Sequence, residues 1–157
     1  MHDASQYSPL VHFCKGFVKR TDRRSRCPIN FALELFGDSW SLLVVRDLLF
    51  AGKRTFAEFA DSEERISTNI LSARLKSLAK AGIIRRDGRG RTTRYSLTAR
   101  GVELLPLMLD MIAWSARHDP RTAADPSFVR RLASDRAALL VELEAGVRAA
   151  HGVSAER

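Results

Sequence analysis

The chain has 157 residues, 45% hydrophobic and 28% charged, with a formal net charge of +8 and a pI of about 10.3. That length suits one domain with extensions, and that composition can bury a core, which excludes a disordered or collagen-like chain. Two cysteines, Cys14 and Cys27, exclude a disulfide-stapled scaffold.

Residues 1–26 place Lys and Arg around Phe13 and Phe17 and are expected to form a basic N-terminal arm. They contain no apolar core of the secretory kind, so the expected location is the cytoplasm, where thiols stay reduced. No apolar run approaches the roughly 20 residues that cross a bilayer, so no membrane partner is expected.

From Ile29 to Phe36 the apolar spacing predicts a short helix stopped at Gly37. Asp38 and Ser39 are placed to cap the next helix, whose interior runs from Trp40 to Leu49 and is expected to be largely buried. Thr55 and Glu58 match a capping box for a third short helix bearing Phe56 and Phe59. Ser67 is positioned as the N-cap of a fourth, with Ile70, Leu71, Leu75 and Leu78 at helical spacing and Gly82 as its stop. Its opposite face carries Thr68, Asn69, Ser72, Ala73, Lys76 and Lys80, small and polar first and basic later.

Residues 83–97 then read as strand, glycine-rich turn, strand, with Arg89, Arg91 and Arg94 assigned to the tip. Thr98 is expected to cap one long helix from Ala99 to about His118, bent by Pro106 or carrying it near its start. That helix is apolar on nearly every side, so it needs cover on more than one side, and a second subunit is the simplest. Asp125 and Pro126 suit the start of a last amphipathic helix with the stripe Phe128, Leu132, Leu139, Leu143 and Val147.

The positive charge is concentrated. Residues 65–100 hold ten Lys/Arg against one acid, Asp87, a net of +9 that exceeds the excess of the whole chain. Such a window favours an anionic partner.

The expected fold is mainly α with a small β-hairpin. A short capped helix, a turn at 61–66 and a helix with small polar N-terminal residues make a helix-turn-helix; the basic hairpin behind it makes that a winged helix. A major groove admits one helix, whose N-terminal residues meet base edges, while hairpin arginines suit phosphates or a minor groove.

At this point the sequence resembles the HxlR-type winged-helix transcriptional regulators of bacteria. The matching pieces are Cys27-Pro28, then Leu33, Gly37 and Trp40, then Gly52, Phe56 and Phe59. Ile66-Ser67, Leu71, Arg74-Leu75, Leu78, Gly82-Ile83 and Arg86 follow, and then Arg94-Tyr95-Ser96-Leu97-Thr98, Gly101 and Leu104, with Trp114 late in the long helix. The likeness covers about 27–118 and divides the chain into the arm 1–26, the winged-helix domain 27–118 with a dimerisation helix 99–118, and a C-terminal helical extension 119–157.

The resemblance implies a homodimer on double-stranded DNA, joined through the N-terminal segment and the long helix after the wing, with a recognition helix at 67–80 and a wing at 85–96. The family's glycine-lysine-tryptophan stands here as Gly37-Asp38-Ser39-Trp40, without the lysine, and its glycine before the Ile-Ser pair is Arg65. In some relatives the cysteine equivalent to Cys27 senses oxidants or electrophiles.

The candidate DNA contacts are Arg65, Ser67, Thr68, Asn69, Ser72, Arg74, Lys76, Lys80, Arg89, Arg91 and Arg94. Asn69 is the candidate for direct readout, because an amide can pair bidentately with adenine. Arg74 is expected to reach phosphate or an acid such as Glu34. Arg23, Arg24 and Arg26 favour a Cys27 thiolate and hence sensing; the alternative is a small buried side chain. A small aromatic or electrophilic effector is a second candidate input. The four histidines, His2, His12, His118 and His151, lie at the chain's periphery with no ligand spacing, and no catalytic motif or cofactor site is present. The competing function is a winged-helix protein-interaction module without specific DNA binding.

Overall fold

The computed structural model describes residues 25–154. Nearly all of the expected arm, with Cys14, Arg23 and Arg24, lies outside the described residues.

Helix α1 spans Pro28–Phe36, with Pro28 in its first turn, where a fixed φ suits a helix start. Helix α2 spans Ser41–Phe50 and buries Val44, Val45, Leu48 and Leu49. Between them Asp38 acts as the cap: Oδ1 accepts the Trp40 and Ser41 amides, each at 2.9 Å. Helix α3, Phe56–Ala60, begins with the full capping box, Thr55 Oγ1 accepting from the Glu58 amide and the Glu58 carboxylate accepting from that of Thr55.

Helix α4, Thr68–Lys80, starts at Ser67 and buries Leu71, Leu75 and Leu78. Ile70, grouped with that stripe from the sequence, is 41% exposed. One residue before Leu71 is about 100° around the helix, which turns Ile70 toward the polar side.

Strands β1, Ile84–Asp87, and β2, Arg94–Leu97, pair antiparallel, Ile84 opposite Leu97 and Asp87 opposite Arg94, joined through a 3₁₀ turn at Gly90–Thr92. After them come α5, Ala99–Val102, and α6, Leu105–His118. The single helix expected over 99–118 is therefore two. Pro106 sits in the first turn of α6, and Val102, where α5 ends, is the residue whose carbonyl its ring would meet in a continuous helix. Gly101 lies where backbone meets backbone: a Cβ there would stand 2.2 Å from the Ile83 carbonyl oxygen. No side chain fits between α5 and the strand entrance.

The extension also differs from expectation. Asp125 caps α7, Pro126–Ser134, through the Phe128 amide at 2.8 Å. The chain then leaves helical geometry at Asp135 (φ −146°, ψ 52°) and resumes as α8, Arg136–His151. Ser134 and Asp135 are residues that compete with helix for backbone hydrogen bonds. The break lets α8 pack on both α5 and α6. One core joins all of this, with Val45, Leu48, Leu71, Leu97, Leu105, Leu109 and Leu139 at most 1% exposed. No helix among the described residues is long and apolar enough to cross a membrane.

Candidate nucleic-acid interface

The turn between α3 and α4 is held by charge buried beneath it. Asp47 of α2 is 3% exposed. It accepts the Ser62 hydroxyl, lies 3.2 Å from Lys53 Nζ and takes two bonds from Arg46. Arg46 also pairs with Glu64, a bond that holds the Glu64 carboxyl down at about 2. Within this turn Arg65 has φ 53°, the left-handed region. A side chain there costs roughly 1–2 kcal/mol, a conformation that glycine would adopt without that cost. The network at Asp47 and Glu64 holds the turn all the same, and the Arg65 side chain is exposed.

From that turn α4 presents Ser67, Thr68 and Asn69 outward at its first turn and Lys76 and Lys80 farther along, all exposed, with Ser72 half-buried among them. The Ser67 hydroxyl also serves as N-cap, accepting the Ile70 amide at 3.5 Å.

Arg74 is directed elsewhere. Its Nη1 donates to Asp38 Oδ2 at 3.1 Å, so its acid is Asp38; Glu34 instead accepts from Asn30 at 2.7 Å. Burial alone would raise the Asp38 carboxyl. The Ser41 hydroxyl, the Trp40 and Ser41 amides and Arg74 together outweigh it and leave the group below its ordinary 3.8.

The hairpin stands beside α4 with Arg89 and Arg91 exposed at its tip. Arg94 is not at the tip: it opens β2 opposite Asp87 and shares a face with Arg85 and Ser96. The other face carries the pair Arg86 and Tyr95. These two line the open cleft between wing and α4 with Ser72, Leu75, Lys76 and Ala79, and Arg86 also lines the neighbouring cleft toward Thr55 and Phe56 with Arg91. Arg86 is thus a candidate contact that sequence reasoning passed over. Its signal was the period of two in β1 that puts it on the face of the buried Ile84.

Two apolar rows are also exposed, on α1 and α6. Ile29 and Leu33 of α1 are 63% and 61% exposed, and Leu107, Met111 and Trp114 of α6 are 41%, 44% and 58%. Each row follows the period of one helix face. Trp114 stacks on His118 at 4.4 Å. Cys27 is the half-buried N-cap of α1, outside any disulfide, and its amide donates to Ser25 Oγ at 3.2 Å. His151, assigned to the periphery from its place in the sequence, is 2% exposed, because α8 folds back to the wing. No group of metal-ligating side chains occurs among the described residues.

The profile of the HxlR-like helix-turn-helix family matches residues 35–123. The uncharacterized HTH-type transcriptional regulator sll1512 of Synechocystis sp. is 40% identical over 88 residues, 54% of this chain and 64% of its own length. Another, YdeP of Bacillus subtilis, is 30% identical across 68% of this chain and 84% of its own. Among solved structures, the redox regulator HypR in its oxidised form has a TM-score of 0.53 and 29% identity over 59% of this chain and 98% of that one. The profile match, the relatives and a winged helix-turn-helix fold agree, and the chain belongs to the HxlR-like helix-turn-helix family, a class of transcriptional regulators rather than of enzymes.

Proposed function

We propose that the chain is a sequence-specific regulator that binds a palindromic operator as a homodimer. The observation that carries this is the exposed first turn of α4, with Asn69, standing beside an arginine-bearing wing in the most basic stretch of the chain. Ser67, Thr68, Asn69 and Ser72 meet base edges and nearby phosphates. Arg65, Lys76, Lys80, Arg86, Arg89 and Arg91 follow the backbone; Arg94 joins them only where DNA wraps past the wing's far face. Arg74 acts from behind, tying α4 to the start of α2.

The dimer joins the exposed rows of α1 and α6, Ile29 and Leu33 with Leu107, Met111 and Trp114. Two copies related by a two-fold axis would then offer their α4 helices to successive major grooves, about 34 Å apart. The +9 window weighs against a protein-interaction module without DNA.

The input is the Cys27 thiol. Its place at the N-terminus of α1 favours a thiolate, and α1 carries part of the dimer face, so a modified thiol would change the spacing of the two α4 helices. The likeness to HypR, a redox regulator, supports this choice over a small aromatic effector held without thiol chemistry.

Titration of duplexes from the DNA flanking the gene, at several salt concentrations, tests the whole. Nanomolar binding to one palindromic fragment, released by diamide or a quinone and retained in Cys27→Ser, is the expected result. Equal affinity for every duplex counts against a specific regulator, and release of Cys27→Ser like the parent counts against thiol control.

A further inference from the structure

We propose that His151, with Arg54, is a positioning residue for the wing: the end of α8 closes the outer edge of β2 and so sets how the wing stands against α4. The proposal rests on the DNA-binding function above, and it concerns a segment beyond the residues that the family profile matches.

Among the described residues, strand β2 has a single partner strand, β1. The amides of Tyr95 and Leu97 point from its other edge, where an unmet buried donor would be costly. Both are met by groups from outside the hairpin. The Tyr95 amide donates to the Arg54 carbonyl at 2.7 Å. The Leu97 amide, in a fully buried residue, donates to Nδ1 of His151 at 2.7 Å. Across the ring, Nε2 lies 3.0 Å from the Leu48 carbonyl, one of those that the end of α2 leaves without a helical partner. Nδ1 must accept, so the proton sits on Nε2 and is donated to Leu48. One neutral imidazole therefore joins the wing's edge to the end of α2, the helix that packs beneath α4.

Two arginines complete the clamp. Arg54 donates to the Ala150 carbonyl at 2.8 Å and to Ser96 Oγ at 3.4 Å, and it also contacts Nδ1 of His151. Arg85 of β1 donates to the His151 carbonyl at 2.6 Å, a cation at the negative end of α8. Arg85 and Ser96 form a cross-strand pair on the face turned away from the Arg86–Tyr95 cleft. The clamp thus grips the wing from behind and leaves the cleft beside α4 open. A wing held this way has its phosphate contacts pre-arranged, whereas a loose one must be ordered on binding.

The test compares His151→Leu with His151→Asn, whose amide oxygen can stand where Nδ1 accepts. Amide hydrogen exchange in the free protein reads the clamp, and titration of a mixed-sequence synthetic duplex at several salt concentrations reads the wing. His151→Leu is expected to speed exchange at Leu97 about tenfold or more relative to α4 amides. It should also weaken duplex binding and lower the salt slope by about one to two counterions, with His151→Asn recovering most of both. Should His151→Leu fail to fold, Arg54→Ala is expected to give the same changes at smaller size. Unchanged exchange at Leu97 overturns the clamp. Faster exchange with wild-type affinity and salt slope overturns its role in positioning the wing. Wild-type protein that binds no duplex at any salt removes the DNA function itself, and the wing's role with it.

Discussion

Asp38 and Arg74, 36 residues apart, meet at 3.1 Å, so the carboxylate that begins α2 also anchors α4. The same two oxygens take the Trp40 and Ser41 amides and the Ser41 hydroxyl. The helix proposed to enter the major groove is thereby referred to the start of its neighbour, with Arg74 engaged by Asp38.

Asp38→Ala is accordingly expected to cost about 1–2 kcal/mol, from loss of the cap and of the bond to Arg74. Urea denaturation measures this. A change within a few tenths of a kcal/mol would show that the cap at Asp38 adds little to stability.

On α6, Trp114 and Met111 are exposed at 58% and 44%. Trp114→Glu should leave the fold intact, as an exposed substitution, yet shift a dimer to monomer in light scattering after gel filtration. Palindrome binding should weaken with it, because each half-site then binds alone. Wild-type protein that is already monomeric at assay concentration contradicts the interface.

Contacts with bases and with phosphates separate experimentally. Asn69→Ala is expected to relax discrimination at one base position by about 1–3 kcal/mol and to leave the salt slope nearly unchanged. Reversal of Lys76, Arg89 and Arg91 to Glu should abolish binding to every duplex. Triple-variant protein that still binds, with the slope of the parent, removes the wing and the basic end of α4 from the interface.

Acid should loosen the clamp first. Burial, aided by the charges of Arg54 and Arg85 and opposed by the bond to Leu48, lowers His151 from 6.5 to about 4. Above 6.5 the imidazole is neutral in both folded and unfolded chains, and its full contribution is present. As the pH falls from 6.5 toward about 4 the unfolded chain takes up a proton that the folded one resists, so stability declines, by at most about 3 kcal/mol. Glu64, held at about 2 by Arg46 against an ordinary 4.5, gives its own loss from about 4.5 downward, so it overlaps only the lower end of that window. Unfolding midpoints measured across this range should fall for the wild type and be flatter for His151→Asn. Parallel curves for the two proteins would show that His151 does not titrate as described.

Local signals carried most of the fold. The Thr55–Glu58 box, the Ser67 and Asp125 caps, the 71/75/78 stripe and the period of two in Tyr95 and Leu97 are interactions within a few residues, so composition and spacing alone determined α3, α4 and the hairpin, while the class of regulator came from the resemblance of the ordered motifs to a known family. What depended on distant partners did not show. The bond from Arg74 to Asp38, the pairing of Arg94 with Asp87 away from the tip, the cleft position of Arg86, the fold-back of α8 and the burial of His151 each need two segments brought together. Burial and hydrogen-bond satisfaction act between atoms adjacent in space, whatever their separation along the chain, and only the tertiary structure decided those.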